Sequence, residues 1–493
     1  MRRMGTMALV LARVAVSGCV PGRPQTPGGP GSKPGPGGPL GSGNGFLPVH
    51  EWRARQGGYL RFATGSLNRS SVPNVLAHLE RAERDGRYRF HARSVTVADL
   101  QSVFDKIDAH RDTSDFDLMR LTALWWGHRK RIDPALREAI EARFTGFRYW
   151  FTDPKPDDVV DDKWFWSENH RLIVHTLEYL SGRALPHERF AFTGETGRTH
   201  AARGRERIEA WLDEKAAHGF SEWHSDVYYA KDVEPLLLLT EFAEPDLARR
   251  AAAMLDLFLY DLAVHQLSGN TGVTHGRSYM KDKSKATDQD VFNVVKLAFD
   301  TTDTGYTSRG DATTVALARA RRYRLPQAIV DVAQHPGPFV DRQHMGVELD
   351  LDQPFSTDPV APAGAPAFDD PAGIDFWWER GALTSWPLVP LTLATIEENG
   401  LWETSLFQPY KALVDVAGGN PAVAAQLAYA LRCQINVGVL SAVDTITYRS
   451  ADAMLSTAQD YRPGCFGHQY HAWQATLDED AVVFTTHPGN EPR

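Results

Sequence analysis

The chain has only three cysteines in 493 residues, too few for a disulfide framework, so a packed core must hold the fold together. Cys433 and Cys465 are the two left to pair in an oxidising compartment if Cys19 is used elsewhere. Cys-x-x-Cys, His-Glu-x-x-His and calcium-loop patterns are all missing, and the sequence accordingly supports neither a metal site nor a cofactor. No stretch reaches about 18 uninterrupted apolar residues, so no membrane span is expected. An excess of basic charge is lacking too. A formal net charge of -9 argues against nucleic acid as the main partner. It admits an acidic substrate only where a local basic cluster reverses the sign. No fixed-length repeat recurs, which argues against a solenoid.

What is present is the composition of a soluble globular protein, with 42% hydrophobic and 23% charged residues. Thirteen Trp fit either stacking on sugar rings or filling helical cores, and core packing accounts for most of them. Residues 1–19 read as an export signal: Arg2 and Arg3 are followed by the apolar run Met7 to Val16 and by the lipobox-like Val16-Ser17-Gly18-Cys19. Residues 20–45 are mostly Pro, Gly and Ser, a tether that cannot build a core. The expectation is a secreted or cell-surface lipoprotein that touches the membrane only through a lipid on Cys19.

Over 46–449 apolar residues recur at three- and four-residue steps, with Gly and Pro mostly between the runs. Helices are predicted at Val95–His110, Ser114–His128, Ser167–Ser181, Ala202–His218, Val233–Glu244 and Pro245–Leu267, among others. So many antiparallel helix pairs in one long domain predict a mainly α fold, an (α/α) toroid of helical hairpins. After Arg449, Met454–Tyr461, His471–Leu477 and Ala481–Thr486 read as short strands. Residues 450–493 are therefore expected to form the start of a short β-sheet region that either packs on the helical domain or belongs to a truncated module.

Three stretches concentrate polar, chemically capable residues at loop–helix junctions. The first is Trp164-Phe165-Trp166-Ser167-Glu168-Asn169-His170, with Ser167 the expected N-cap. On a 3.6-residue period Asn169 and His170 point to the same buried side as Leu172, Ile173 and Leu177. The second is Gly219-Phe220-Ser221-Glu222-Trp223-His224-Ser225-Asp226-Val227-Tyr228-Tyr229, ahead of a helix expected to start near Asp232. The third is Thr274-His275-Gly276-Arg277-Ser278-Tyr279-Met280-Lys281-Asp282-Lys283. The set suits proton abstraction beside a carboxylate. The carbanion formed at C5 of a uronic acid needs a hydrogen-bond donor and a cation, which an Asn amide and an Arg supply. Neutral His is a base near pH 7, and Tyr can donate a proton to the departing oxygen, or act as base where cations lower its pKa.

This ordered set resembles the helical-toroid polysaccharide lyases: alginate lyases, chondroitin AC-type lyases and heparinase-like enzymes. Tyr228-Tyr229-Ala230-Lys231-Asp232-Val233-Glu234-Pro235-Leu236-Leu237 is similar to the segment that carries the alginate lyases' catalytic Tyr, and Arg277 lies where the chondroitin-type enzymes place an essential Arg. Glu168 departs from the Asn that usually precedes Asn-His in the alginate enzymes. The resemblance implies β-elimination on an acidic, uronate-containing polysaccharide without a cofactor. It implies Asn169 as carboxylate neutraliser, His170 as base or its partner, Tyr228 or Tyr229 as acid/base and Arg277 as charge stabiliser. His224 competes with His170 for the role of base. Trp166, Glu222, Trp223, His275, Tyr279, Lys281 and Lys283 are the expected substrate-binding residues. Two rival readings stand beside this one. Glu168, Glu222 and Asp226 offer the paired carboxylates of a glycoside hydrolase, and a non-catalytic surface glycan-binding lipoprotein would bind without product.

Overall fold

The computed structural model describes residues 45–156, 158–436, 438–459, 461, 469 and 471–485. The stretches expected to be an export signal and a lipobox with Cys19, nearly all of the expected tether, and Cys465 lie outside them. Cys433 is disulfide-bonded. The described residues are mainly α, with 18 α-helices and a five-stranded antiparallel sheet.

The Glu168–Ala184 helix is the axis of the helical part. Every residue from Glu168 to Gly182 is buried, as expected of a helix surrounded by others. Its closest neighbour is the Gly197–His218 helix, and three glycines let the two backbones touch. A Cβ on Gly182 would lie 2.3 Å from the Gly197 carbonyl oxygen, and one on Gly204 would lie 2.6 Å from the Tyr179 nitrogen. The helical series also returns to its start. Leu47 donates its N–H to the Leu325 carbonyl at 2.9 Å, and the Val49–Ala63 helix packs on Ala312–Arg319.

Several boundaries move from their expected places. The predicted Val95–His110 helix is regular only over Gln101–Asp108. Before it, Thr96 is held in a turn by its N–H and hydroxyl, both donating to Asp99 Oδ2 at 2.8 Å. The helix expected from Asp232 starts at Tyr229, so Asp232 lies buried within its first turn. Ser167 has the extended backbone of an N-cap but no capping bond; its hydroxyl donates to Asn169 Oδ1 at 2.8 Å instead.

The sheet also begins earlier than Arg449. Its strands run in order β1 (Phe339–Met345), β2 (Val443–Arg449), β3 (Met454–Gln459), β4 (Trp473–Thr476) and β5 (Val482–Phe484). Both β1 and β2 fall within the stretch expected to be helical. β2 alternates buried and exposed residues, and its inward Arg449 donates to the carbonyls of Ala263 at 2.8 Å, Gln266 at 2.7 Å and Val332 at 2.6 Å. A guanidinium there complements the negative ends of the Pro245–Val264 and Gln327–Gln334 helices. On β4, Thr476 donates to the Gly272 carbonyl at 2.6 Å. The sheet thus docks by hydrogen bonds onto the loop that carries the third polar stretch.

Candidate functional site

The first turn of the Glu168–Ala184 helix sends neighbouring side chains to different environments. Asn169 is fully buried. Its Oδ1 is used by Ser167, while its amide Nδ2 has no hydrogen-bond partner. An unspent buried donor of that kind is costly, and it is the type of group that waits for a ligand. His170 lies beside it with Nδ1 2.6 Å from Asp115 Oδ2 and its ring stacked on Phe116 at 4.9 Å. Burial works against the imidazolium, but Asp115, Asp112 and Glu222 outweigh it, so the His170 pKa is raised. Because Nδ1 is held by Asp115, Nε2 is the nitrogen left for proton transfer.

Glu222 connects this pair to the second and third stretches. Its carboxylate lies 3.4 Å from Arg277 Nε, its other oxygen is buried without a partner, and its charge acts on both His170 and Tyr228. Burial lifts its pKa to about 7 against the pull of Arg277. Tyr228 bonds to the Tyr279 hydroxyl at 2.5 Å, and the Arg277 guanidinium lies 5.8 Å from the Tyr228 ring. Burial, then Glu222, raises the Tyr228 pKa despite Arg277, which keeps the phenol protonated. Tyr229 is different. It packs beneath against Phe220 and Phe258, and its hydroxyl accepts the His224 backbone N–H at 2.8 Å. Glu222 thus links His170, Tyr228 and Arg277, Tyr279 joins through Tyr228, Asn169 adjoins the group as the residue before His170, and Tyr229 supports them from the core.

Other expected site residues lie elsewhere. Glu168 accepts from Ser221 N–H at 2.6 Å and Ser221 hydroxyl at 2.9 Å, and pairs with Lys215 Nζ at 2.8 Å. Trp166 packs among Phe151, Trp378 and Phe407 and is not a sugar platform. Trp223 is buried over Gly276, where a Cβ would meet its indole Nε1 at 2.5 Å. Asp226 accepts from Ser278 at 2.9 Å, with His275 Nε2 3.6 Å away, and both are fully buried. Lys283 is buried as well, and burial lowers its pKa to about 8 against the pull of Asp226 and Asp282. Of the two lysines expected to bind substrate, Lys281 is accessible, 58% exposed and paired with Asp282, while Lys283 is not accessible.

His224 is engaged by a different set of partners from His170. Burial, then the neighbouring His265, lowers its pKa to about 4. Its Nδ1 lies 3.1 Å from the Thr274 carbonyl and its Nε2 3.0 Å from Gln343 Oε1. With Asp261 and His265 it forms the one group among the described residues whose donor atoms are spaced to hold a metal ion. Sequence reasoning missed Asp115, Phe116, Asp261, His265 and Gln343. Asp115 looks like any acid in a helix's first turn, and only the four-residue spacing of Asp261 and His265 on one helical face gives a local signal. No protein family, no curated protein and no solved structure matches this chain.

Proposed function

We propose that the chain is a polysaccharide lyase that cleaves an acidic, uronate-containing polysaccharide by β-elimination. The observation that carries this reading is the unpartnered Asn169 amide beside an imidazole whose Nδ1 is held by Asp115. Asn169 Nδ2 donates to the uronate carboxylate as charge builds on it, with Arg277 as the cation. His170 Nε2 takes the C5 proton, the freed electron pair forms the C4–C5 double bond, and the C4–O bond breaks. Tyr228, which burial and Glu222 keep protonated, gives its phenolic proton to the departing oxygen. Closure of the helical series from Leu47 to Leu325 supports an (α/α) toroid as the scaffold. The export signal and tether support a secreted or cell-surface location, and among the described residues no helix is long and apolar enough to cross a membrane.

The test is a screen of uronate polymers by ultraviolet absorbance. Elimination leaves a conjugated, unsaturated uronate, so the wild type should produce a steady rise that Asn169→Ala loses while keeping its melting temperature. Asn169→Ala with near-normal turnover removes that residue from the site. One observation favours a second reading, a glycoside hydrolase, because Glu222 keeps a buried oxygen without a partner, as a general acid would. Reducing ends released without absorbance would select it. Against it stands Glu168, whose carboxylate is engaged by Ser221 and Lys215.

A further inference from the structure

We propose that His224, Asp261 and His265 bind a divalent first-row transition metal, with Zn²⁺ the best fit, and that the ion fastens the Gly219–Asp226 loop to the helical core and to β1. The inference is independent of the reaction proposed above. Three separate elements deliver the donors. His224 comes from the loop, Asp261 and His265 from the C-terminal end of the Pro245–Val264 helix, and Gln343 from β1. His265 Nδ1 lies 3.0 Å and His224 Nε2 3.9 Å from Asp261 Oδ1, and the ligand atoms of all three residues fall within 4.8 Å of one another. Bonds of about 2.0–2.1 Å to a tetrahedral Zn²⁺ place donors roughly 3.3 Å apart, so small side-chain shifts suffice.

Buried hydrogen-bonding capacity is left unsatisfied at this point. Asp261 Oδ2 and both ring nitrogens of His265 have no hydrogen-bond partner although all are buried. Gln343 donates its amide Nε2 to Asp261 Oδ1 at 2.8 Å, which fixes its Oε1 toward His224 Nε2 at 3.0 Å. His224 Nδ1 meets the Thr274 carbonyl, so its N–H is used there and Nε2 turns a lone pair toward another acceptor. A cation between them resolves that clash. The outer partners are those that metal-bound imidazoles use: a backbone carbonyl for His224, and for His265 the Asp341 carboxylate, 3.6 Å from Nε2. His224 also holds a left-handed backbone at φ 53°, a conformation that persists only when its surroundings impose it. Two imidazoles, one carboxylate and an amide oxygen are a donor set of intermediate softness that suits zinc.

The test uses the full chain without an affinity histidine tag, dialysed and analysed for metal by mass spectrometry. About one equivalent of Zn²⁺ should remain, and Co²⁺ in its place should give the visible bands of a tetrahedral N/O site. His265→Gln and Asp261→Asn should each lower retained zinc by at least about tenfold while the far-ultraviolet circular dichroism stays native. A natively folded wild type that holds no Zn²⁺ and takes up no Co²⁺ overturns the proposal, and points instead to an extra proton on His224. Variants that keep as much zinc as the wild type overturn it too. Should both variants fail to fold, the zinc-edge X-ray absorption of the wild type decides. Two imidazoles with oxygen support the site, and sulfur or oxygen-only ligation sinks it.

Discussion

Two buried polar regions hang from the first turn of the Glu168–Ala184 helix, and they differ in how densely their charges are paired. On one side Glu168, Glu214, Glu379 and Asp375 meet Lys215, Arg171 and Arg380. Lys215 alone touches three carboxylates, and Ser221 ties Glu168 to Glu379 at 2.9 and 3.0 Å. On the other side Glu222 meets one cation, Arg277, at 3.4 Å, and Asn169 carries no charge. Buried polar atoms without a partner occur on both sides, Asn169 Nδ2 and Glu222 Oε2 on one, Glu168 Oε1, Arg171 Nε and Arg380 Nη2 on the other. Unfilled hydrogen-bonding capacity alone therefore does not mark a functional group; what separates the two regions is how completely opposite charges are paired.

The comparison can be broken most directly at Tyr228. Tyr228→Phe keeps the ring and removes the proton, and should lower turnover by roughly 10²–10⁴ with the melting temperature nearly unchanged. Tyr229→Phe should retain substantial activity. If both variants stay active, neither phenol moves the proton. The ion-paired region should answer in the opposite way. Lys215→Ala leaves buried carboxylates uncompensated and should cost about 3–5 kcal/mol in denaturant unfolding, with activity lost only as the protein unfolds. Normal stability with abolished turnover would move the ion cluster into the site.

Asp115 sharpens the contrast through pH. The base must be neutral, and its pKa is raised, so kcat/KM should climb with pH through a value above the ordinary 6.5 for His. In Asp115→Asn the chief opposing charge is gone. Burial then dominates, although Asp112 and Glu222 still face the ring, and the acid limb should move to lower pH. An unmoved limb would assign it to another group. The smallest effect is expected at Lys281, where Lys281→Ala should raise KM by less than about fivefold and weaken its salt dependence, as exposed charge contacts do.

The helices were legible because their apolar residues recur on one face, and Asn169 and His170 because adjacency in the chain put them on one turn. Asp115 was not, since its meaning lies in a contact made across 55 positions. β2 carries no apolar alternation that points inward, since its buried face is Val443, Thr445, Thr447 and Arg449 while Ile446 and Tyr448 lie on the other face. β1 carries none either, because Phe339-Val340-Asp341-Arg342-Gln343-His344-Met345 alternates no apolar face. Its polar inward residues make sense only beside His265 and His224. The expected cap at Ser167 is absent: its hydroxyl donates to Asn169 Oδ1, and its oxygen accepts no N–H of the first turn.

The register of the sheet bears on how the chain can be cut and how it assembles. Phe339 pairs with Arg449 and Met345 with Val443, so the outer strand is made well before its partner and must wait while the helices between them form. Those helices include the one that delivers Glu379 to the ion cluster. A fragment beginning after Met345 would leave the flank of β2 bare, an open ribbon edge prone to pairing with other chains. The last strands are thus stitched into the helical body from within, and removing either piece would leave the other with a raw seam.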